Sequence, residues 1–154
     1  MWITGLIDLI NRTVGTRQKL TWISRPRPFG KSFAAQMLCA YYDCSCDSHA
    51  LFDDKEIARR SGYLEHLNKY HVISIDVSGF VSIVKKQNNA IGSVPGLIEG
   101  KIYEELISLN PELGTKKSLS DGLIQCVEKT GRQFVFVIDE WDAPIREAKE
   151  DKNA

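Results

Sequence analysis

The sequence lacks any long hydrophobic run. Its most hydrophobic stretch, Phe134–Ile138, has five residues, whereas a membrane-spanning helix needs about 20. No basic stretch and no long apolar core follow Met1, so a secretion signal is not expected. We therefore expect a cytoplasmic protein without a membrane partner.

Cysteine is scarce, with four residues among 154. Without a secretion signal, reduced thiols are expected rather than disulfides. Cys44, Cys46 and His49 form a local C-x-C-x-x-H pattern, but a zinc site usually takes four ligands in two spaced pairs. A loop with two ordinary thiols is the simpler interpretation, and metal binding remains the open alternative.

Net charge is also absent, because 20 Lys and Arg residues balance 20 Asp and Glu residues. The balance is uneven along the chain. Residues 1–31 carry six basic side chains and one acidic side chain, a net charge of +5, so the remainder carries −5. A basic segment suggests an anionic partner near it, although a solvated basic face would look the same. The content of hydrophobic residues, 43%, is typical of a globular chain and not of a disordered one.

Hydrophobic spacing predicts alternating helices and strands. Helices are expected at residues 4–14, 33–41, 55–60, 98–109 and 119–130, the last opened by a capping box of Ser118 and Asp121 and ended by Gly131. Strands are expected at residues 19–24, 71–77 and 134–138, and loops at 43–54 and 85–96. This alternation indicates an α/β fold with a mainly parallel sheet.

A partial phosphate-binding pattern lies between the first predicted strand and the helix after it. Gly30-Lys31-Ser32 matches the second half of G-x-x-x-x-G-K-[ST], whereas Arg25 occupies the first glycine position. In such a loop Lys31 would reach the β- and γ-phosphates and the Ser32 hydroxyl would bind Mg²⁺. Backbone N–H groups from Gly30 to Phe33 would point at phosphate oxygens. A basic turn before an ordinary helix is the open alternative.

A second pattern is the pair of acids that follows the last predicted strand, Asp139 and Glu140. In phosphate-loop ATPases a buried strand delivers an Asp that helps to hold Mg²⁺, and the adjacent Glu can act as general base towards water. A buried strand that ends in exposed acids is the alternative. The two patterns occur in the expected order with one strand between them, and together they favour a nucleotide-binding core.

These residues resemble the bacterial AAA-ATPase-like family, many members of which carry a PD-(D/E)XK nuclease-like domain at the C-terminus. Arg25–Ser32 resembles its R-P-R-R-F-G-K-S phosphate loop, and Val137–Ile145 resembles its I-D-E-Y-D-A-P stretch. Thr4–Ile7 resembles its T-G-L-I, and Ser74–Val77 stands where the family has its middle strand. The resemblance implies a P-loop NTPase-like three-layer sandwich that uses ATP and Mg²⁺.

The resemblance also implies roles for individual residues. Asp142 matches the family stretch without an assigned role, and Glu140 is the implied catalytic residue. The arginines of the loop would touch phosphate or nucleic acid. The implied nucleotide-binding residues are Arg25, Arg27, Phe29, Gly30, Lys31, Ser32 and Phe33, and the implied metal ligands are Ser32 and Asp139.

The sequence departs from the family pattern at Pro28, which replaces an Arg and removes one N–H donor, and at Trp141, which replaces a Tyr. The chain ends 14 residues after Glu140, so we expect the N-terminal part of a longer ATPase, truncated before its sensor strand and impaired in hydrolysis. The leading hypothesis is an ATP-binding domain that can hydrolyse ATP. A catalytically silent nucleotide-binding or protein-interaction module is the alternative, and a nucleic-acid-binding module is less favoured. A second copy of the chain or the missing C-terminal domain is the expected protein partner.

Overall fold

The computed structural model describes residues 2–23, 30–114 and 118–150. The chain divides into two compact units, 1–72 and 73–154. It is a mixed α/β protein, as the alternating pattern predicted. Among the described helices, none is both long enough and apolar enough to cross a bilayer.

The first unit is helical. Its described elements are α1 (Trp2–Asn11), α2 (Lys31–Tyr42), α3 (His49–Phe52), a 3₁₀ turn (Glu56–Arg59) and α4 (Tyr63–His66). Apolar and aromatic side chains from all of these elements form its core. They include Ile7, Ala34, Leu38, Tyr41, Tyr42, Phe52, Ile57 and Tyr63.

A buried polar network joins α1 to α2. The Asn11 side-chain amide donates to the Tyr41 hydroxyl at 3.0 Å, and the Tyr42 hydroxyl donates to Asn11 Oδ1 at 2.8 Å. Tyr41 in turn donates to the backbone carbonyl of Tyr63 at 3.1 Å. Each buried polar group in this chain of contacts therefore has a partner. Burial raises the pKa of both Tyr41 and Tyr42, because it disfavours the phenolate.

The second unit contains the sheet. Its described elements are β1 (His71–Asp76, of which the first two residues belong to the first unit), α5 (Val77–Lys86), a 3₁₀ turn (Ile91–Ser93), α6 (Val94–Leu109), a 3₁₀ turn (Pro111–Leu113), α7 (Leu119–Thr130), β2 (Phe134–Asp139) and α8 (Ala143–Glu150). In the described residues β1 and β2 form a two-stranded parallel sheet. The core includes Ile73, Ile75, Val81, Val84, Ile102, Leu106, Leu113, Cys126 and Ala143.

Most of the predicted elements are confirmed. The helix predicted at residues 33–41 is α2, the helix at 98–109 is α6, and the two later strands differ from β1 and β2 by one residue each. The capping box is present: Ser118 Oγ accepts the Asp121 N–H at 3.2 Å and donates to Asp121 Oδ2 at 2.7 Å. Gly131 ends α7 with a left-handed φ of 68°, a conformation that suits glycine.

The strand predicted at residues 19–24 is wrong for its described part, because residues 19–23 adopt no regular structure. Ser24 lies outside the described residues. Leu20 is 94% exposed and Trp22 is 70% exposed. A β-rich composition favours a strand only where a neighbouring strand and a covered face are present, and this segment has no strand pairing in the described structure.

Other predicted boundaries are corrected. The first helix ends at Asn11 and not at residue 14. The Thr13 N–H bonds the Ile10 carbonyl three residues back, and residues 12–15 form turns. The loop predicted at 43–54 contains α3, and the loop predicted at 85–96 is occupied by the end of α5, a 3₁₀ turn and the start of α6. Pro95 lies in the first turn of α6, where proline is tolerated and even favoured. The helix α5 was missed, although Asp76 caps it by accepting the Ser78 N–H at 3.0 Å.

Candidate functional site

The start of α2 carries the described part of the phosphate-loop pattern. Gly30 is the N-cap residue, with a left-handed backbone at φ 73° and ψ 29°. Among the described residues, no atom would lie within 4 Å of a Cβ added at Gly30, and its positive φ is a backbone conformation that favours glycine. The Gly30 carbonyl accepts the Ala34 N–H at 2.9 Å and closes the first turn of the helix.

The residues after Gly30 lie at the N-terminus of this helix. The first N–H groups of a helix have no carbonyl partner within it, and they lie at the positive end of the helix dipole. Lys31 is half-buried, Ser32 is exposed and Phe33 is 51% exposed. The structure therefore presents a cation, a hydroxyl and backbone donors within one helical turn, which is chemistry that suits an anion. Arg25, Arg27 and Phe29 lie outside the described residues, as does Pro28.

The second pattern lies at the carboxyl end of β2. Asp139 is the last residue of the strand and is half-buried. Its Oδ1 accepts the backbone N–H of Glu140 at 2.9 Å. Glu140 adopts a positive φ of 52°, which is uncommon for a residue with a side chain and costs about 1–3 kcal/mol. Strain of this kind is often found at functional positions.

An arginine that the sequence patterns did not identify contacts this acidic end. Arg146 Nη2 donates to Glu140 Oε2 at 2.8 Å, and Arg146 Nη1 lies 2.5 Å from Asp142 Oδ2. Hydrogen bonds to the two carboxylates, Asp142 first, raise the pKa of Arg146. The local signal that could have identified it is the spacing Asp142-x-x-x-Arg146, because residues four apart share a helix face.

The two motifs belong to different units of the chain: Gly30 to Phe33 lie in the first unit and Asp139 and Glu140 in the second. The described residues of each motif are consecutive in the chain, and their roles stay predictions. The oxygen donors, the Ser32 hydroxyl and the Asp139 carboxylate, are of the hard type that Mg²⁺ prefers. Each side chain by itself is of a donor type compatible with Mg²⁺, and a shared magnesium site stays a prediction.

The C-x-C-x-x-H residues are not brought together as a metal site. Cys44 Sγ lies 3.5 Å from His71 Nδ1, whereas His49 Nδ1 lies 3.1 Å from Asp53 Oδ1. Within the described part of the chain there is no group of three His, Cys, Asp or Glu side chains arranged to hold a metal ion. Cys44 and His49 thus have different hydrogen-bond partners.

The fold and the motif residues define a mixed α/β protein with an anion-compatible helix N-terminus and an acidic strand end. A family model described as Predicted AAA-ATPase matches residues 7–154. The chain belongs to this AAA-ATPase-like family, which confirms the family that the motifs resembled. No curated protein and no solved structure matched the chain. The nuclease-like domain of some family members stays a prediction.

Proposed function

We propose that the protein binds ATP and hydrolyses it with Mg²⁺, on a P-loop NTPase-like three-layer fold. The observation that carries the proposal is the left-handed Gly30 at the start of α2, followed directly by Lys31 and Ser32. Membership of an AAA-ATPase-like family over residues 7–154 supports the choice of nucleotide. The first expected strand of that fold, at residues 19–24, is not formed in its described part, so the proposal depends on α2 and β2.

The proposed phosphate contacts come from the first turn of α2 and the loop before it. Lys31 neutralises charge on the β- and γ-phosphates, and the backbone N–H groups from Gly30 to Phe33 donate to phosphate oxygens. Arg25, Arg27 and Phe29 are proposed as further nucleotide contacts. Because charge-assisted hydrogen bonds are among the strongest in proteins, this turn supplies most of the affinity for the triphosphate.

The proposed hydrolytic chemistry uses the end of β2. Ser32 and Asp139 would hold Mg²⁺, which neutralises negative charge on the phosphates when it is bound. Glu140 orients the attacking water and accepts its proton. The water oxygen bonds to the γ-phosphorus, the bond between that phosphorus and the bridging oxygen breaks, and ADP leaves with the electron pair. The products are ADP and inorganic phosphate.

The test measures ATP binding and Mg²⁺-dependent phosphate release on the full chain. Lys31→Ala should weaken ATP binding by about 10- to 100-fold, which corresponds to the loss of a charge-assisted hydrogen bond of about 1.5–3 kcal/mol. Lys69→Ala is the matched control, since Lys69 is an exposed lysine of the same unit. Equal affinity for ATP in the wild type and in Lys31→Ala would contradict the assignment of the phosphate site.

A second pair of variants separates hydrolysis from binding. Glu140→Gln should retain ATP binding and lose about 100-fold or more in turnover, the usual contribution of a general base. Glu128→Gln, an exposed glutamate of the same unit, should match the wild type. ATP binding without wild-type turnover would favour the silent nucleotide-binding module. A salt-sensitive interaction with nucleic acid that persists in Lys31→Ala would favour the nucleic-acid module.

A further inference from the structure

Arg146 bridges two carboxylates at the end of the acidic motif, and only one of them has a role in the proposed function. Its Nη2 contacts Glu140 at 2.8 Å and its Nη1 contacts Asp142 at 2.5 Å. We propose that Asp142 and Arg146 are positioning residues that hold the Glu140 carboxylate in the orientation that water activation needs. This inference rests on the proposed ATP hydrolysis and gives Asp142 a role.

The backbone of the turn places the three side chains together. The left-handed conformation of Glu140 reverses the chain after β2, and the Ala143 N–H donates to the Glu140 carbonyl at 2.9 Å to close the turn. The Arg146 N–H donates to the Asp142 carbonyl at 3.1 Å, so Asp142, which directly precedes α8, lies one helical turn before Arg146 on the same side. The turn therefore directs the side chain of Glu140 back over α8.

The turn itself is anchored to the core of the second unit. Ala143 is buried in that core, and an ion pair between Lys85 and Glu147 joins α8 to α5. These contacts attach α8 to α5 and to the core of the second unit, and they place Arg146 beside the end of β2. A positioning group needs this kind of rigid support.

The two carboxylates have different parts in this arrangement, because each contacts a different nitrogen of Arg146. Arg146 forms its two contacts through different nitrogens, and a planar guanidinium held at one nitrogen presents the other in a fixed direction. The contact with Asp142 therefore fixes the guanidinium group of Arg146, and that group in turn fixes the carboxylate of Glu140. The Glu140 side chain is only 19% exposed, so few orientations compete with the one that Arg146 selects. An error of about 1 Å in such an orientation can cost up to about 100-fold in rate.

Substitution of Asp142 or Arg146 should lower turnover and leave ATP affinity unchanged. Arg146→Ala should lower kcat by about tenfold, within the range that misplacement of a catalytic group costs, and leave KM and the binding of a non-hydrolysable ATP analogue unchanged. Arg146→Lys should recover part of the loss, and Asp142→Asn should lose less than Arg146→Ala. Arg132→Ala is the control, because Arg132 is an exposed arginine of the same unit.

A double substitution tests whether Arg146 acts through Glu140. In the Glu140→Gln background, Arg146→Ala should cause no further loss beyond about twofold, since residues that act as a unit are not additive. In the nucleotide-free protein, NMR should report slow rotation and slow proton exchange of the Arg146 guanidinium, and Asp142→Asn should speed up both. Thermal unfolding of each variant separates mispositioning from loss of fold.

The outcomes distinguish this inference from the function on which it rests. Wild-type protein without Lys31-dependent turnover would overturn the proposed hydrolysis and the inference with it. Wild-type turnover that is unchanged in Arg146→Ala would overturn the positioning role alone. A full additional loss in the double variant would also overturn it, because Arg146 would then act independently of Glu140.

Discussion

Replacing Gly122 by alanine should destabilise the second unit, although alanine is the better helix former. Gly122 is buried within α7, and a Cβ there would lie 3.0 Å from Leu113 Cδ2, 3.2 Å from Leu106 Cδ1 and 3.4 Å from Tyr103 Cε2. The first two distances are shorter than normal van der Waals contacts. Alanine gains about 1 kcal/mol in helix propensity, whereas overpacking a core costs about 1–3 kcal/mol. We expect a net loss of about 1 kcal/mol, near the middle of that difference.

Gly100 provides a matched control in the same unit. It lies in the interior of α6, is exposed, and an added Cβ would meet no atom of the described residues within 4 Å. Gly100→Ala should therefore stabilise by about 0.5–1 kcal/mol, the propensity gain without the clash. Thermal and urea unfolding of both variants measures the difference, and 1 kcal/mol corresponds to about 2–4 °C in Tm for a chain of this size. If Gly122→Ala stabilised the protein as much as Gly100→Ala, the described packing of α6 against α7 would be wrong.

Three further predictions concern local features. Ser118→Ala removes the cap of α7 and should cost about 1 kcal/mol in urea unfolding, while exposed Ser120→Ala should cost little; equal losses would argue against the cap. Asn11→Ala leaves the buried Tyr42 hydroxyl without its acceptor and removes the donor to the Tyr41 hydroxyl, and it should lower the free energy of unfolding by about 2 kcal/mol. Burial raises the pKa of Tyr42 above the ordinary tyrosine value of about 10, so above that pH the unfolded chain loses a proton that the folded chain keeps. Stability should then fall as the pH rises past about 10, and Tyr42→Phe should flatten this dependence; an unchanged slope would contradict it.

The parts of the fold that the sequence predicted well are those set by local chemistry. The helix α7 has its capping pair at Ser118 and Asp121 and its left-handed glycine at Gly131, and both signals lie within the segment that they define. The helix α6 and the strand β2 have long or continuous apolar patterns that leave few alternatives. Local rules are reliable where one short segment contains the residues that begin an element, its hydrophobic periodicity and the residue that ends it.

The errors have a tertiary cause. Residues 19–23 have the composition of a strand, but strand formation depends on a partner that a short segment does not contain. The helix α5 was missed because Val77 continues the apolar pattern of β1 while Asp76 already caps the next helix. The side chain of Asp76 thus decides a boundary that hydrophobic periodicity alone places one residue later.

The sequence and the structure point to different residues of the candidate site, and the roles of those residues stay predictions. Spacing and residue type led to Lys31, Ser32, Asp139 and Glu140, because each stands in a short pattern with a defined chemistry. Arg146 was not found, since its contact with Glu140 depends on the reversal of the chain after β2. No sequence pattern predicts a left-handed backbone at a glutamate. The contact between Arg146 and Glu140 depends on that conformation, so it is found only in the structure.

Membership of the family does not by itself establish catalysis. The contact between Arg146 and Glu140 bears on catalysis and not on membership. The match over residues 7–154 concerns the chain as a whole, while the proposed hydrolysis would depend on the orientation of the Glu140 carboxylate. Fold alone does not determine activity, which resides in the geometry of the site. Because Arg146 contacts Glu140 directly, the double substitution reports on that geometry, and Lys31→Ala reports on the nucleotide. The comparison of ATP binding with phosphate release in the wild type then separates an active ATPase from a silent module, and the two substitutions test which residues are responsible.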